Sequence, residues 1–526
     1  MPLALSFPAD RAAPPKDLEL RPKQVKAWIE ALPHAQTFDS AKKLSVHLTA
    51  MNRAKFDFDQ RLQILEVYMP TAKIALEELE AVYSKSPLPL TARAREALTI
   101  ARDLAAELAT GYKIALVEKT GKLIAFGAKK QLPALAGRAM EYLLAGLYSS
   151  YKSYTPVPPG IWRELHELYL YADREGFVRE PIDAETKQSI FDLYTEAVLL
   201  SLTDPYRLVQ GEADKILAHA RAMRGLVTLG QERPATPSDA HFLVPCDTDK
   251  PPRSPLQANE EAGGFNWRLL DANPLVDRLR QKKVAAETGN VSATMTKALG
   301  PDGLALLGRL ITLWGDPPRR AHRRDPSDAT VAICVGLKAV GHFVSFEPRL
   351  DAIAQADALK RGITMPMVAL PTDDSAQPIP VFEWDVVNQS AGGLKVRRIG
   401  ATQQPIGVGE VLGVKLMDRS RWSVGVVRWL TMFDEGGMEF GIQFIGTLAR
   451  PVWIQPTITS APQAKLGLWL ASDPGSNEPD ALITPPNTYS DLREFELNDD
   501  GQSARVRATS LIEKTGRFEF FHVSPS

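Results

Sequence analysis

The spacing of apolar residues divides this chain into two parts that meet near residue 320. From residue 22 to about residue 230, alanine, leucine, glutamate and lysine dominate, and apolar side chains recur every three or four positions. Phe58, Leu62, Leu65 and Met69 show this spacing, which puts side chains on one face of an α-helix. The pattern predicts about seven to nine helices in a bundle or an irregular helical array.

Two local signals refine the helical part. Thr91 precedes the apolar run ARAREALTI, and a threonine at that position is typical of a helix start. Pro70 lies within a helical pattern and lacks a backbone N–H, so we expect it to end or kink its helix.

Beyond Arg324 the apolar residues fall in short runs rich in valine, isoleucine, phenylalanine and tryptophan. The runs are TVAICVGL, GHFVSF, VFEWDVVNQ, LKVRRIG, VLGVKLM, WSVGVVRWL and EFGIQFIG. Several alternate between apolar and polar positions, and glycine, aspartate or proline bounds them, which predicts an antiparallel barrel or sandwich. One segment, Pro348–Lys360, has helical spacing and is predicted to form a helix between early strands.

These patterns predict a multidomain α + β protein with a large N-terminal all-α helical region followed by a C-terminal antiparallel β-barrel. The predicted parts are a disordered N-terminus (1–21), a helical domain (22–230), a linker plus helical connector (231–316), a β-barrel (317–458) and a C-terminal β-rich extension (459–526). Helical spacing returns within the connector, from Leu269 to Trp314. Residues 462–526 either extend the barrel or form a second small β unit, and the pattern leaves both open.

The charge composition argues against one class of partner, DNA. The chain has 526 residues, with 62 lysines and arginines against 63 aspartates and glutamates, for a formal net charge of −1. Bulk DNA binding needs a basic face that neutralises phosphates, so this balance argues against DNA and leaves room for one local basic site.

The expected compartment is the cytoplasm. The two cysteines, Cys246 and Cys334, lie in apolar strand-like segments, so we expect core residues in a reducing environment and no disulfide framework. Together with eight scattered histidines, they give no zinc-binding spacing, and no metal or other cofactor is expected. The N-terminus lacks the basic and apolar regions of a signal peptide, and no apolar run is long enough to span a membrane.

Two short segments carry candidate chemistry. Arg319–Arg324 reads RRAHRR, and Asn388–Gly393 reads NQSAGG. Arginine suits phosphate recognition because its planar guanidinium donates two parallel, charge-assisted hydrogen bonds. A turn with small residues allows a ligand to approach the backbone closely. Together the segments predict the two halves of a site for a compact, negatively charged nucleotide, brought together only by folding.

The region from Arg319 to about Pro456 resembles the PilZ domain, a β-barrel receptor for cyclic di-GMP. The family's first motif, RxxxR before the first barrel strand, fits in two registers, 319/323 and 320/324. Its second motif, [D/N]xSxxG at a strand end, is matched in full by NQSAGG. Later strands of the family are similar to Gly425–Trp429 and Gly441–Phe444. The 63 residues from 325 to 387 make a longer separation between the motifs than is usual in the family.

The resemblance implies a cyclic di-GMP site with defined roles. The arginines would pair with phosphates and stack on guanine faces, Asn388 would bind a guanine edge, Ser390 would supply a hydroxyl, and Gly393 would permit the turn. The implied ligand-binding residues are Arg319, Arg320, Arg323, Arg324, Asn388, Ser390 and Gly393. We favour the 320/324 register because Arg324 lies nearer the first strand.

Three functional interpretations follow. A long helical region joined to such a domain is similar to FimW-like receptors linked to type IV pili and surface attachment, which implies a receptor that couples ligand binding to partner docking by its helices. Alternatively, the chain is a structural adaptor that binds no ligand and acts through helical protein–protein contacts. An enzyme is not expected, because the sequence contains no Gly-rich phosphate loop, HExxH, GxSxG, GGDEF or EAL motif.

Overall fold

The computed structural model of the chain contains two compact units, Met1–Arg319 and Arg320–Ser526. The residues that it describes are 3–33, 35–121, 128–232, 236–253, 266–288, 303–317, 324–345, 379–400, 404–417, 421–433, 436–446, 448–458, 464–472, 479–499 and 502–526. The predicted helix Pro348–Lys360 lies outside these residues.

The first unit is built around α-helices. Up to residue 222 they are α1 (Pro22–Glu30), α2 (Thr37–Asn52), α3 (Phe58–Tyr83), α4 (Ala92–Thr120), α5 (Leu132–Ser153), α6 (Ile161–Arg174), α7 (Ile190–Leu202) and α8 (Glu212–Ala222). Thr91 caps α4 as predicted, because its side chain accepts a hydrogen bond from the Ala94 N–H.

Of the two outcomes expected at Pro70, an end or a kink, the helix end does not occur, because α3 continues through this residue. Proline removes one backbone hydrogen bond from the ladder, but the flanking Tyr68 and Ala72 are fully buried. Their packing offsets the local loss, which a sequence pattern does not reveal.

Residues 3–21 contain no helix, yet hydrogen bonds hold them to the bundle. The Ser6 N–H donates to Glu164 Oε1 at 2.7 Å, and the Lys55 N–H donates to the Ala12 carbonyl at 2.7 Å. Glu164 also pairs with Lys113 Nζ at 2.7 Å, and these two side chains are only 8% and 6% exposed. The described part of 1–21 therefore differs from the predicted disorder.

A small sheet and two further helices complete the first unit. Strands β1 (Thr228–Gly230), β2 (His241–Pro245) and β3 (Trp267–Asp271) form a sheet of order β1-β3-β2. Helices α9 (Asn273–Glu287) and α10 (Gly303–Gly315) follow. The start of the predicted helical stretch Leu269–Trp314 is wrong, because Leu269 to Asp271 belong to β3, where they pair with β1 and β2.

The second unit begins with a closed barrel. Its strands are β4 (Asp325–Pro326), β5 (Thr330–Val335), β6 (Phe382–Ser390), β7 (Gly393–Arg398), β8 (Val411–Leu416), β9 (Ser423–Met432) and β10 (Met438–Gly446). They lie in the order β4-β6-β5-β8-β9-β10-β7, and β7 pairs back with β6, which closes the barrel. The short β4 adds to β6 on one side.

The described part of the predicted strand GHFVSF, Gly341–Ser345, belongs instead to helix α11 (Leu337–Ser345). Ala339, Val340 and Val344 from this helix join a buried cluster with Trp422 and Leu468. The apolar residues at 340 and 344 are four apart, and a short run of this kind suits a helix as well as a strand. Packing against the barrel favours the helix over the strand at this segment.

A second closed barrel follows directly. It comprises β11 (Ala449–Pro456), β12 (Lys465–Leu470), β13 (Ala481–Thr484), β14 (Glu494–Asp499), β15 (Gln502–Lys514) and β16 (Glu519–Pro525), in the order β11-β12-β13-β16-β15-β14. Strand β11 pairs with β12 and β14, so the second barrel begins about ten residues before the predicted boundary at 458. Of the two arrangements left open for residues 462–526, the structure has the second β unit.

The predicted fold class, a helical region followed by an antiparallel barrel, is confirmed. In the described part of the chain, none of the helices combines the length and apolar character that crossing a membrane requires.

Candidate ligand-binding site

The segment NQSAGG forms the turn between β6 and β7. Ser390, the last residue of β6, pairs with Gly393, the first residue of β7, so Ala391 and Gly392 form a two-residue loop. The Ser390 hydroxyl donates to the Gly393 carbonyl at 3.3 Å, which leaves its lone pairs able to accept from a ligand. We call this hairpin end the NQSAGG turn.

Strand β10 supports the NQSAGG turn from the other side. The Phe444 N–H donates to the Gly392 carbonyl at 3.0 Å, and Gly393 pairs with Gln443. A Cβ added to Gly393 would lie 2.0 Å from the Ile442 carbonyl oxygen, far inside van der Waals contact. Gly393 is therefore required by close strand packing, a reason that differs from the freedom of the turn expected from the sequence.

Replacing Gly393 with alanine is expected to lower the free energy of unfolding by about 1–3 kcal/mol or more, because the blocking atom belongs to the backbone and cannot rotate away. Chemical denaturation of the full chain measures this. Gly516→Ala is the matched control, because no heavy atom lies within 4 Å of its added Cβ. Equal stability of the two variants would contradict the packing role.

Strand β4 brings the end of the arginine segment to the NQSAGG turn. Asp325 pairs with Gln389 and Pro326 with Asn388 in antiparallel register. Arg324, which is exposed, immediately precedes this pairing, so it lies at the level of Ser390. Two segments separated by 63 residues in sequence therefore meet at one edge of the barrel. Arg319, Arg320 and Arg323 lie outside the described residues.

Asn388 carries an unused hydrogen-bond acceptor. Its Oδ1 atom is buried and has no hydrogen-bond partner among the described residues. A β-bulge between Val386 and Asn388 shifts the register here. An unpaired buried acceptor costs about 1–3 kcal/mol, which a ligand N–H could recover.

The strand pairing also shows neighbours of Asn388 that lie outside both sequence motifs and were not predicted as site residues. Across four strands, Asn388 pairs with Lys395, Lys395 with Gly441, and Gly441 with Trp429. A Cβ at Gly441 would lie 2.0 Å from Trp429 Nε1, so the indole lies across this glycine. Alternation of apolar and polar residues along a strand predicts which of its side chains share a face. It does not predict which strands are neighbours in the sheet.

One carboxylate organises the basic side chains of this face. Glu439 Oε1 lies 2.6 Å from Lys395 Nζ, and its Oε2 lies 2.7 Å from Arg397 Nη2. The Glu439 side chain is only 10% exposed, whereas those of Lys395 and Arg397 are 22% and 44% exposed. Two cations share one anion, so Glu439 keeps one ion-pair partner if the other is removed.

A further arginine connects this face with the second barrel. Arg428 Nε donates to Gln443 Oε1 at 2.7 Å, and Arg428 Nη2 donates to Glu513 Oε2 on β15 at 2.8 Å. Because Gln443 pairs with Gly393, two residues, Gln443 and Arg428, link the NQSAGG turn to Glu513 of the second barrel.

The two cysteines are core residues. Burial raises the pKa of the Cys334 thiol to about 12 and that of Cys246 to about 11, so both remain protonated. Both are free and buried, as predicted. Within the described ranges, no group of three or more His, Cys, Asp or Glu side chains is placed to hold a metal ion.

Comparison with known families covers nearly the whole chain. Residues 23–235 match the model of the N-terminal domain of the cyclic-di-GMP receptor FimW. Residues 241–365 and 355–451 match its middle PilZ domain, and residues 452–526 match its C-terminal β-barrel domain. The last two matches meet within β11, the first strand of the second barrel.

One known protein is also similar to this chain over nearly its whole length. The cyclic-di-GMP receptor FimW of Pseudomonas aeruginosa is 24% identical, and the alignment covers 95% of this chain and 90% of that protein. No solved structure matches the chain significantly.

Proposed function

Since the chain belongs to the FimW family of cyclic-di-GMP receptors, we propose that it binds cyclic di-GMP on the outer face of its first barrel, at β4, β6 and β7. The observation that carries this proposal is the pairing of Asp325 and Pro326 with Gln389 and Asn388. It juxtaposes the end of the arginine segment and the NQSAGG turn, so cationic and neutral polar groups can contact one ligand together.

The chemistry of each group suits a cyclic dinucleotide. The Arg324 guanidinium offers paired donors to a phosphate, and the remaining arginines of the segment, Arg319, Arg320 and Arg323, are proposed to assist from the sequence motif. The unpartnered Asn388 Oδ1 can accept from a guanine N–H, and the Ser390 hydroxyl can accept from or donate to the ligand. We retain the 320/324 register, in which Arg324 acts next to the turn.

The role that we propose is binding and signalling, without catalysis. The helical unit would dock a protein partner in response to ligand, in surface attachment or type IV pilus-related motility. This extension is supported by the match of residues 23–235 to the N-terminal domain of the same receptor family. We place the receptor in the cytoplasm on its free, buried cysteines.

Calorimetric titration of the full chain with cyclic di-GMP tests the proposal. We expect saturable binding with a micromolar or lower Kd, and Ser390→Ala is expected to weaken it about three- to tenfold. Ser510→Ala, which removes an exposed hydroxyl of the second barrel, serves as the control and should bind as the unmodified chain does. Folded protein that gives no binding heat at micromolar ligand would reject the receptor function and favour the adaptor.

The partner-docking part has its own test. A protein that co-purifies with the full chain only when cyclic di-GMP is present would support it. Co-purification that is insensitive to the nucleotide would contradict coupling between ligand and partner.

A further inference from the structure

We propose that Lys395 contacts the guanine base and makes the site select guanine over adenine. This inference rests on the proposed binding of cyclic di-GMP and names a residue outside both sequence motifs. Its basis is the cross-strand pairing of Lys395 with Asn388, whose Oδ1 acceptor has no hydrogen-bond partner among the described residues.

The register of the sheet makes Lys395 the direct neighbour of Asn388. The two residues pair across β6 and β7. Directly opposite residues of an antiparallel pair point to the same face, with Cβ atoms about 4.5–5.5 Å apart. A base that reaches the Asn388 side chain therefore lies within reach of the lysine side chain.

The lysine ammonium is held in place but keeps free donors. Glu439 Oε1 accepts from Nζ at 2.6 Å, and Nζ lies 5.8 Å from the centroid of the Trp429 ring. An ammonium carries three donors, and the carboxylate uses one of them. With 22% of the side chain exposed, the group remains accessible from solvent.

Across the β6–β7 pairing, the Asn388 side chain can offer an acceptor and the Lys395 side chain a donor to the same base. Guanine presents the complementary pair on one edge, because its N1–H donates and the adjacent O6 accepts. Adenine reverses this order, with an accepting N1 beside a donating N6 amino group. The amino group would then face the ammonium, and N1 would face the amide oxygen, so neither contact forms a hydrogen bond. Complementarity of donors and acceptors thus predicts discrimination.

Arg397 provides an internal comparison. It binds the same Glu439 carboxylate and also carries a positive charge on β7. It pairs, however, with the exposed Asp385, away from the NQSAGG turn. Removing either cation leaves Glu439 with the other as a partner, so neither substitution strands a nearly buried carboxylate.

The test is calorimetric titration of the full chain with cyclic di-GMP and with cyclic di-AMP. Lys395→Met is expected to weaken cyclic di-GMP binding about tenfold and to reduce the preference for guanine by a similar factor. Lys395→Arg keeps the donors and should keep the guanine preference. Arg397→Met should change both quantities by about twofold or less. Thermal unfolding of each variant verifies that the barrel is intact.

Each outcome bears on a different statement. If the unmodified chain binds neither nucleotide, the proposed function fails and this inference fails with it. If the chain binds cyclic di-GMP but Lys395→Met retains its affinity and guanine preference, only the role of Lys395 is overturned. Equal losses in Lys395→Met and Arg397→Met would also overturn it, since general positive charge would then account for the effect.

Discussion

Replacing Arg324 with alanine is expected to weaken binding of cyclic di-GMP about 10- to 100-fold. A charge-assisted hydrogen bond contributes about 1.5–3 kcal/mol, and each 1.4 kcal/mol corresponds to about a tenfold change in affinity. Arg324 is exposed and directly precedes the strand that pairs with Asn388 and Gln389, so its loss should not disturb the core. Titration calorimetry measures the change, and thermal unfolding should remain unaltered.

Neighbouring arginines provide the control for Arg324. Arg323→Ala removes the same charge one residue earlier, and in the 320/324 register it should have a clearly smaller effect. Arg320→Ala should behave like Arg324→Ala. If Arg319→Ala and Arg323→Ala instead cause the large losses, the 319/323 register binds the ligand and our preference for Arg324 is refuted.

The dependence of the binding affinity on salt concentration distinguishes the loss of a phosphate contact from other causes of weaker binding. A lost phosphate contact lowers the salt dependence of binding as well as the affinity. Arg324→Ala should therefore bind with a shallower dependence on salt than the unmodified chain, whereas Ser390→Ala should keep the original dependence. Parallel salt dependences for all three proteins would argue against a phosphate contact by Arg324.

Replacing Lys113 with methionine is expected to lower the free energy of unfolding by about 3–5 kcal/mol, because it leaves a buried charge without its partner. Lys113 Nζ and Glu164 Oε2 lie 2.7 Å apart, with side chains only 6% and 8% exposed. Glu164 also accepts from the Ser6 N–H, so among the described residues the unpaired carboxylate would keep this backbone donor but lose its cation. Urea denaturation of the full chain, followed by circular dichroism of the helices, measures the effect.

An exposed ion pair gives the control for Lys113. Lys42 Nζ and Glu96 Oε1 lie 2.6 Å apart, but half of each side chain is exposed. Lys42→Met should therefore change the unfolding free energy by about 1 kcal/mol or less. Adding Glu164→Leu to Lys113→Met should recover part of the lost stability, since the pair is then replaced by apolar side chains. A Lys113→Met variant as stable as Lys42→Met would contradict the importance of burial.

The errors of sequence interpretation have a common physical cause. Gly341–Ser345 lies in α11, and Pro70 lies inside α3, because contacts with distant residues outweigh the local preference in both cases. The second barrel begins at Ala449 because β11 pairs with β12 and β14. The residues of a strand do not by themselves predict which other strands it pairs with. By contrast, the cap at Thr91 depends on residues three apart and was correctly predicted.

The amino-acid sequence shows the arginine segment and the NQSAGG turn, which have the residue types that a nucleotide site requires, and a change from helical to strand spacing near residue 320. These features are local, so a single chain segment displays each of them. The folded barrel is needed to place Arg324 level with Ser390, Gly393 against the Ile442 carbonyl, and Lys395 opposite Asn388. Strand order and register decide these contacts, and both depend on closure of the whole barrel, which joins residues far apart along the chain.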